Sequence, residues 1–228
     1  SAGPYALAGF AGGPCGGIGI YGMNPDAIQI RRDLSPRPGP GDGPVVWLLP
    51  RAEQADPLWQ ILAEALGISV EAVRLETDGH GRRILTQVPA GVTAPQFAVA
   101  HTEGWNAIAL LRRGQVGIDL EMMRPLADLS ALARDYLTSA ERVRLDSLAP
   151  NEQGAEFYRL WTTKEALAKA LGLGLSVPFG EMEIAPLTTP TDWVRIYQSR
   201  QLGQGWQRWH QRVTLGAEMA LLTVVWAR

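Results

Sequence analysis

Val116-Gly117-Ile118-Asp119-Leu120-Glu121 decides how this chain is read. On a strand, successive side chains point to opposite faces. Val116, Ile118 and Leu120 therefore line one face and suit a core. Asp119 and Glu121 project from the other, beside a glycine that leaves room for a ligand. Two carboxylates held that close repel each other unless a cation or a proton joins them. All-oxygen donors favour Mg²⁺, which takes its remaining ligands from phosphates and water. The same pattern also suits an exposed strand edge with two solvated acids.

Upstream, Ala107 to Leu111 reads as a strand, and Arg112-Arg113-Gly114-Gln115 as the turn of a hairpin into Val116 to Glu121. Val45 to Leu49 reads as a buried strand. Asp56 caps a helix with Pro57 at its first position and Gly67 at its end. Val73 to Glu76, Arg83 to Thr86 and Phe97 to Val99 are further strands, with His101 at a strand end. Downstream the chain turns helical. Asp128 caps one helix, Thr138-Ser139-Ala140-Glu141 has capping-box spacing for a second, and a third runs from Asn151 to Gly172. Glu181 to Ile184, Trp193 to Tyr197 and Glu218 to Trp226 complete the strands. Blocks of strands and helices joined by hairpins favour α+β over a doubly wound sheet.

On the long helix, Trp161-Thr162-Thr163-Lys164-Glu165-Ala166-Leu167-Ala168-Lys169 places Glu165 and Lys169 four apart on one face. That spacing suits a surface ion pair, but Trp161 on the same face suggests that the face is covered.

Composition narrows the function classes. The chain has 228 residues, 46% hydrophobic and 19% charged, with a formal net charge of −2. Its pI near 5.9 argues against a dedicated nucleic-acid binder. No apolar run reaches the roughly 18 residues of a membrane-spanning helix, so a cytoplasmic protein is expected. One cysteine, Cys15, leaves no internal disulfide or clustered-thiolate zinc site. Residues 1–22 carry eight glycines and no charge, and read as a flexible head before Met23. Gly17 and Gly19 lack the strand and helix of a phosphate loop. Arg37 to Pro44 reads as a linker. The chain divides into a lobe at 23–115 and a lobe at 116–228.

Taken in order, the two motifs resemble those of the 4'-phosphopantetheinyl transferase superfamily, whose strand reads (V/I)G(V/I)D(V/I/L)E and whose helix reads WxxKEAxxK. The chain length is similar to the larger, monomeric, surfactin-synthetase-activating type. The family's upstream FNxSH signature is met in part, by Phe97 and His101, with Ala98 and Ala100 at its polar positions. Its GKP turn resembles Gly81-Arg82-Arg83. The arginine-rich helical region expected near Arg51 to Gly67 is short and has no basic residue after Arg51; Arg82, Arg83 and the Arg31-Arg32 pair are the basic residues left to grip a nucleotide.

The resemblance implies two similar α+β lobes related by a pseudo-twofold, with coenzyme A in the cleft between them. It implies transfer of 4'-phosphopantetheine from coenzyme A to a serine of an apo carrier protein, with Mg²⁺ (or Mn²⁺) and release of 3',5'-ADP. Asp119, Glu121 and Glu165 would hold the metal, and Glu165 and Lys169 would act in catalysis. Arg82, Arg83, His101, Thr102, Asp119, Lys164 and Lys169 would contact coenzyme A. An acidic carrier of fatty-acid, polyketide or peptide synthesis would dock on Arg124, Arg142 and Arg144, with Arg159 nearby. The alternative is a degenerate homologue that binds carriers without modifying them.

Overall fold

The computed structural model describes residues 28–32, 43–51, 56–173, 177–186, 191–194 and 206–227. The head at 1–22, Met23, most of the linker and residues 195–197 of an expected strand lie outside them.

Two four-stranded sheets form the body, each with a helix on its outer face. The first contains β1 (Gln29–Arg31), β2 (Val45–Pro50), β5 (Gln96–Thr102) and β6 (Trp105–Leu111), in the order β1-β2-β6-β5. Helix α1 (Pro57–Leu66) lies between β2 and β5 in sequence. A two-stranded ribbon of β3 (Leu75–Thr77) and β4 (Arg83–Leu85) follows it. The second sheet has β7 (Gln115–Met122), β8 (Thr191–Val194), β9 (Trp206–Leu215) and β10 (Glu218–Ala227), in the order β7-β10-β9-β8. Helices α2 (Leu129–Tyr136), α3 (Ser139–Asp146) and α4 (Pro150–Leu171) connect β7 to β8.

The connectivity repeats. In each unit a strand leads through helix to a hairpin, and the last hairpin strand pairs antiparallel with the first strand: β6 with β2, and β10 with β7. The fold is α+β, built from two similar units.

Alternation along the strands creates three apolar layers. Val46, Leu48, Ala98 and Ala100 of the first sheet meet Val116, Ile118, Leu120 and Val224 of the second in a sheet-on-sheet core. The outer face of the first sheet, with Val45, Ile108 and Leu110, is covered by Leu58, Ile61 and Leu62 of α1. The outer face of the second sheet is covered by α4, which packs on β7 and β10. Among the described residues, no helix is long and apolar enough to cross a membrane.

The local signals act as expected at α1, where Asp56 Oδ1 accepts from Leu58 N at 3.0 Å and Gly67 adopts φ +67°. Asp128 caps α2, and Thr138 and Glu141 form the box that starts α3. Helix α4 begins at Pro150 rather than Asn151.

Three expectations need correction. The hairpin from Ala107 to Glu121 does not form: β6 pairs with β2 and β5, whereas β7 pairs with β10, so the turn at 112–114 passes between sheets. The hairpin lies one strand earlier, β5 to β6, turning at Gly104 with φ +72°. Residues 181–184 are not a strand, since Phe179–Glu181 is a short 3₁₀ helix and Ile184 makes an isolated bridge. β9 was not foreseen, because its run of Gln207, Arg208, His210, Gln211 and Arg212 hides the alternation that its burial follows only in part.

Candidate active site

The site grows from the close approach of α4 to β7. A Cβ built on Gly117 would run into the carbonyl of Ala166 and come within 2.9 Å of the Ala170 methyl group. The room at this glycine is taken by the helix, not by a ligand. This corrects the sequence reading and explains why the face carrying Asp119 and Glu121 is covered.

Helix positions 161, 165 and 169 then lie along the two acids. Trp161 Nε1 donates to Glu121 Oε1 at 3.1 Å, and Lys169 Nζ donates to Asp119 Oδ1 at 2.6 Å. The lysine thus pairs across to the strand rather than back to Glu165. Trp161 is held by ring contacts with Tyr136, Phe157 and Phe179. Asp119 is only 4% exposed, and its Oδ2 is buried with no hydrogen-bond partner. Burial pushes the Asp119 carboxyl up, against the pull of Lys169. Burial also raises Glu165, aided by the charges of Asp119 and Glu121, and it raises Glu121, aided by Asp119. Three acids crowd one another with one ammonium among them.

Beside them opens a cleft of about 390 Å³ between α4, the edge strand β5 and the β3–β4 turn. Glu165 and Lys169 line one side; Phe97, Val99 and His101 line another; His80, Arg82 and Arg83 close it. Asp78 shapes the turn, its Oδ1 accepting from His80 N and Arg82 N at 2.9 Å each. Gly172 has a second task besides ending α4. At φ +68° a Cβ there would meet Arg82 Nη1 at 2.6 Å, so the glycine keeps Arg82 in the cleft. Arg83 also forms an ion pair with Asp56, the cap of α1. Thr102 is half-buried at the end of β5, opposite Trp105.

The structure therefore gathers Asp119, Glu121, Glu165, Lys169, His101, Arg82 and Arg83 in one region. It does not gather Lys164. That side chain is 0% exposed and donates to Glu141 Oε2, Phe179 O and Tyr136 O at 2.6, 2.7 and 2.8 Å. A coenzyme-contacting role for Lys164 is corrected. The signal was available, because five residues along a helix put it roughly 140° around from Lys169. His80, in the β3–β4 turn, is a cleft residue that the sequence analysis did not single out.

The arginines assigned to a carrier are engaged within the chain. Arg124 bonds both carboxylate oxygens of Glu103 at 2.6 Å and also pairs with Glu218. Arg142 bonds Arg134 O and Ser139 Oγ. Arg144 bonds Ile184 O at 2.6 Å and Glu183, and Arg159 pairs with Glu156. Arg124, Arg144 and Arg159 are thus paired with carboxylates, whereas Arg142 contacts only neutral groups among the described residues. Arg31 likewise lies outside the cleft, against Trp47.

Among the described residues, no three Asp, Glu, His or Cys side chains converge tightly enough to hold a metal ion unaided. The unpartnered Asp119 Oδ2 and the all-oxygen donors fit Mg²⁺, which seldom uses an all-protein cage.

Residues 115–225 match the family model of the 4'-phosphopantetheinyl transferase superfamily. A relative called 4'-phosphopantetheinyl transferase HetI, from Nostoc sp., is 34% identical over 137 residues, covering 59% of this chain and 55% of the relative. The 4'-phosphopantetheinyl transferase psf-1 of Bacillus pumilus is 32% identical over 116 residues, 51% of this chain and 47% of the relative. The aligned stretches thus span about half the length of these curated relatives. A solved structure described as a Chronobacterium ammoniagenes ACPS-CoA complex superposes with a TM-score of 0.35 at 15% identity, over 51% of this chain and 98% of that one.

Proposed function

We propose, from the match of residues 115–225 to the 4'-phosphopantetheinyl transferase superfamily model, that the chain is a member of that superfamily and transfers the 4'-phosphopantetheine arm of coenzyme A to a serine of an apo carrier protein. The observation that carries this reading is the meeting of Asp119, Glu165 and Lys169 at the wall of a cleft whose other walls hold His101 and Arg82.

Each group has work that its chemistry suits. Arg82, Arg83 and His101 take the phosphates of coenzyme A, with guanidinium forks matched to phosphate oxygens. Asp119, Glu121 and Glu165 are the residues that would hold Mg²⁺, which when bound neutralises pyrophosphate charge. Glu165 accepts the proton of the carrier serine as its oxygen attacks the β-phosphate; a carboxyl raised by burial is a stronger base than a free one. The bond from that phosphorus to the bridging oxygen breaks, and 3',5'-ADP departs. Lys169, 31% exposed on its side chain, reaches the cleft and offsets charge on the departing phosphate. Apolar Phe97 and Val99 wall the same cleft and limit water.

The test is the mass gain of an apo carrier protein incubated with coenzyme A and Mg²⁺. Wild type should add one phosphopantetheine, while Glu165→Gln and Asp119→Ala should fold yet lose at least about 100-fold in rate. Full activity in either variant overturns the site. Carrier binding without coenzyme A heat in calorimetry would favour the non-catalytic alternative.

A further inference from the structure

A second cavity, also about 390 Å³, opens elsewhere on the first sheet and shares no lining residue with the cleft. Its walls come from β1, β2, α1 and the ends of β6 and the loop before β5. They carry three arginines, Arg31, Arg112 and Arg113, over an apolar floor that includes Val45, Trp47 and Leu110. Its volume lies within the 300–1,000 Å³ usual for small-molecule sites.

Arg31 is the telling residue. It is 9% exposed, its guanidinium carbon lies 5.2 Å from the centre of the Trp47 ring, and among the described residues it forms no ion pair or hydrogen bond. A guanidinium cannot escape burial by losing its proton. A buried charge without a counter-charge is strongly disfavoured, and the Trp47 face offsets only part of that. Arg112 and Arg113 are exposed at the turn after β6 and likewise have no ion pair among the described residues. Glu64, the carboxylate on the rim, bridges none of the three.

We infer that this cavity is a binding site for a small organic anion, with a phosphate or carboxylate head on the arginines and a short apolar body against Trp47 and Leu110. The forked donors of Arg31 suit either planar carboxylate or phosphate oxygens. The apolar floor gives no partner to a fully hydrated inorganic ion. The site is independent of the transferase reading, since neither the acids of β7 nor those of α4 take part.

The experiment titrates phenyl phosphate, benzoate and inorganic phosphate into the full chain, following the Trp47 indole N–H by NMR. A saturable shift of that signal with phenyl phosphate or benzoate is expected, and whichever binds more tightly names the head group. Inorganic phosphate should bind at least about 10-fold more weakly, the equivalent of about 1.4 kcal/mol. Arg31→Met and the surface double variant Arg112→Ala/Arg113→Ala should each weaken the organic anion about 10-fold or more. The double variant alters exposed side chains, so it keeps the test open should Arg31→Met fail to fold. No saturable shift with either organic anion, or unchanged binding in the double variant, overturns the inference. Equal affinity for inorganic phosphate overturns the apolar-body half of it.

Discussion

Helix α4 carries two lysines, each with its ammonium 2.6 Å from a carboxylate oxygen: Lys164 beside Glu141 and Lys169 beside Asp119. The first pair is saturated. Lys164 spends its three donors on Glu141, Tyr136 O and Phe179 O. Glu141 in turn accepts from Thr138 N on Oε2 and from Ile184 N on Oε1 at 2.8 Å each. The second pair is unfinished. Asp119 Oδ2 has no partner, Glu165 beside it is pushed up by burial, and the Lys169 side chain is 31% exposed. Equal distances therefore hide different tasks. A fully bonded buried pair locks elements together, whereas an incomplete one at a cleft is completed by what binds there. On this reading Lys164 fixes α4 against α3 and the 179–184 segment, and so holds Glu165 and Lys169 in place.

The comparison breaks first at Lys164. Lys164→Met leaves Glu141 buried without its cation and should cost about 3–5 kcal/mol in urea unfolding. Adding Glu141→Leu should return only part of that, because it removes the unpaired charge but leaves Thr138 N and Ile184 N without their acceptor. A Lys164→Met variant as stable as wild type would remove the lock.

Lys169→Met should do the reverse. The proposed phosphopantetheine transfer should fall about 100-fold, or about 2.7 kcal/mol, with a stability loss of only about 1–2 kcal/mol at pH 7. The loss is smaller because Asp119, already raised by burial, can take up a proton. It should shrink further as pH falls below 7, since protonation then removes the unpaired charge. Equal stability losses for the two lysine variants would erase the distinction.

A third polar group under α4 sharpens it. Thr162 Oγ1 lies 2.6 Å from Thr223 Oγ1, which lies 2.7 Å from His210 Nδ1, while His210 Nε2 is buried without a partner. Burial, helped by nearby Arg208 and Arg159, pulls the imidazole down from 6.5 to about 3. With the folded value below the unfolded one, its stability is full above pH 6.5 and is lost as pH falls from 6.5 towards 3. Wild type should lose about 2 kcal/mol more than His210→Phe between pH 6.5 and 5. Parallel pH profiles would show that charging this unpaired group is free, unlike breaking the Lys164 pair. The smallest effect is expected at Arg124, which ties the β5–β6 turn to the β9–β10 turn through Glu103 and Glu218 in open solvent. Arg124→Ala should shift the melting temperature little, and less still at high salt.

Much of this arrangement was legible before any coordinates. Alternation in Val116 to Glu121 assigned the faces of β7, and the turn residues Asp56, Gly67, Asp128 and Gly172 marked helix ends, because those signals are local. The spacing of Trp161, Glu165 and Lys169 placed them on one stripe for the same reason. The partners of that stripe were not legible. Lys169 finds Asp119 across 50 residues of sequence, and Lys164 finds Glu141 across 23. The β6–β7 turn looked like a hairpin turn because residues 112–115 cannot reveal that the next strand joins another sheet.

The sequence by itself determined the strand with its two acids, the helix with its motif and the α+β class, all consequences of chain geometry over a few residues. Only the tertiary structure decided that Gly117 admits a helix, that one motif lysine is a lock and the other faces a cleft, and that Arg31 is buried against Trp47 with no ion pair among the described residues. Those outcomes depend on which surfaces exclude water from which charges, and that is set by contacts between distant segments.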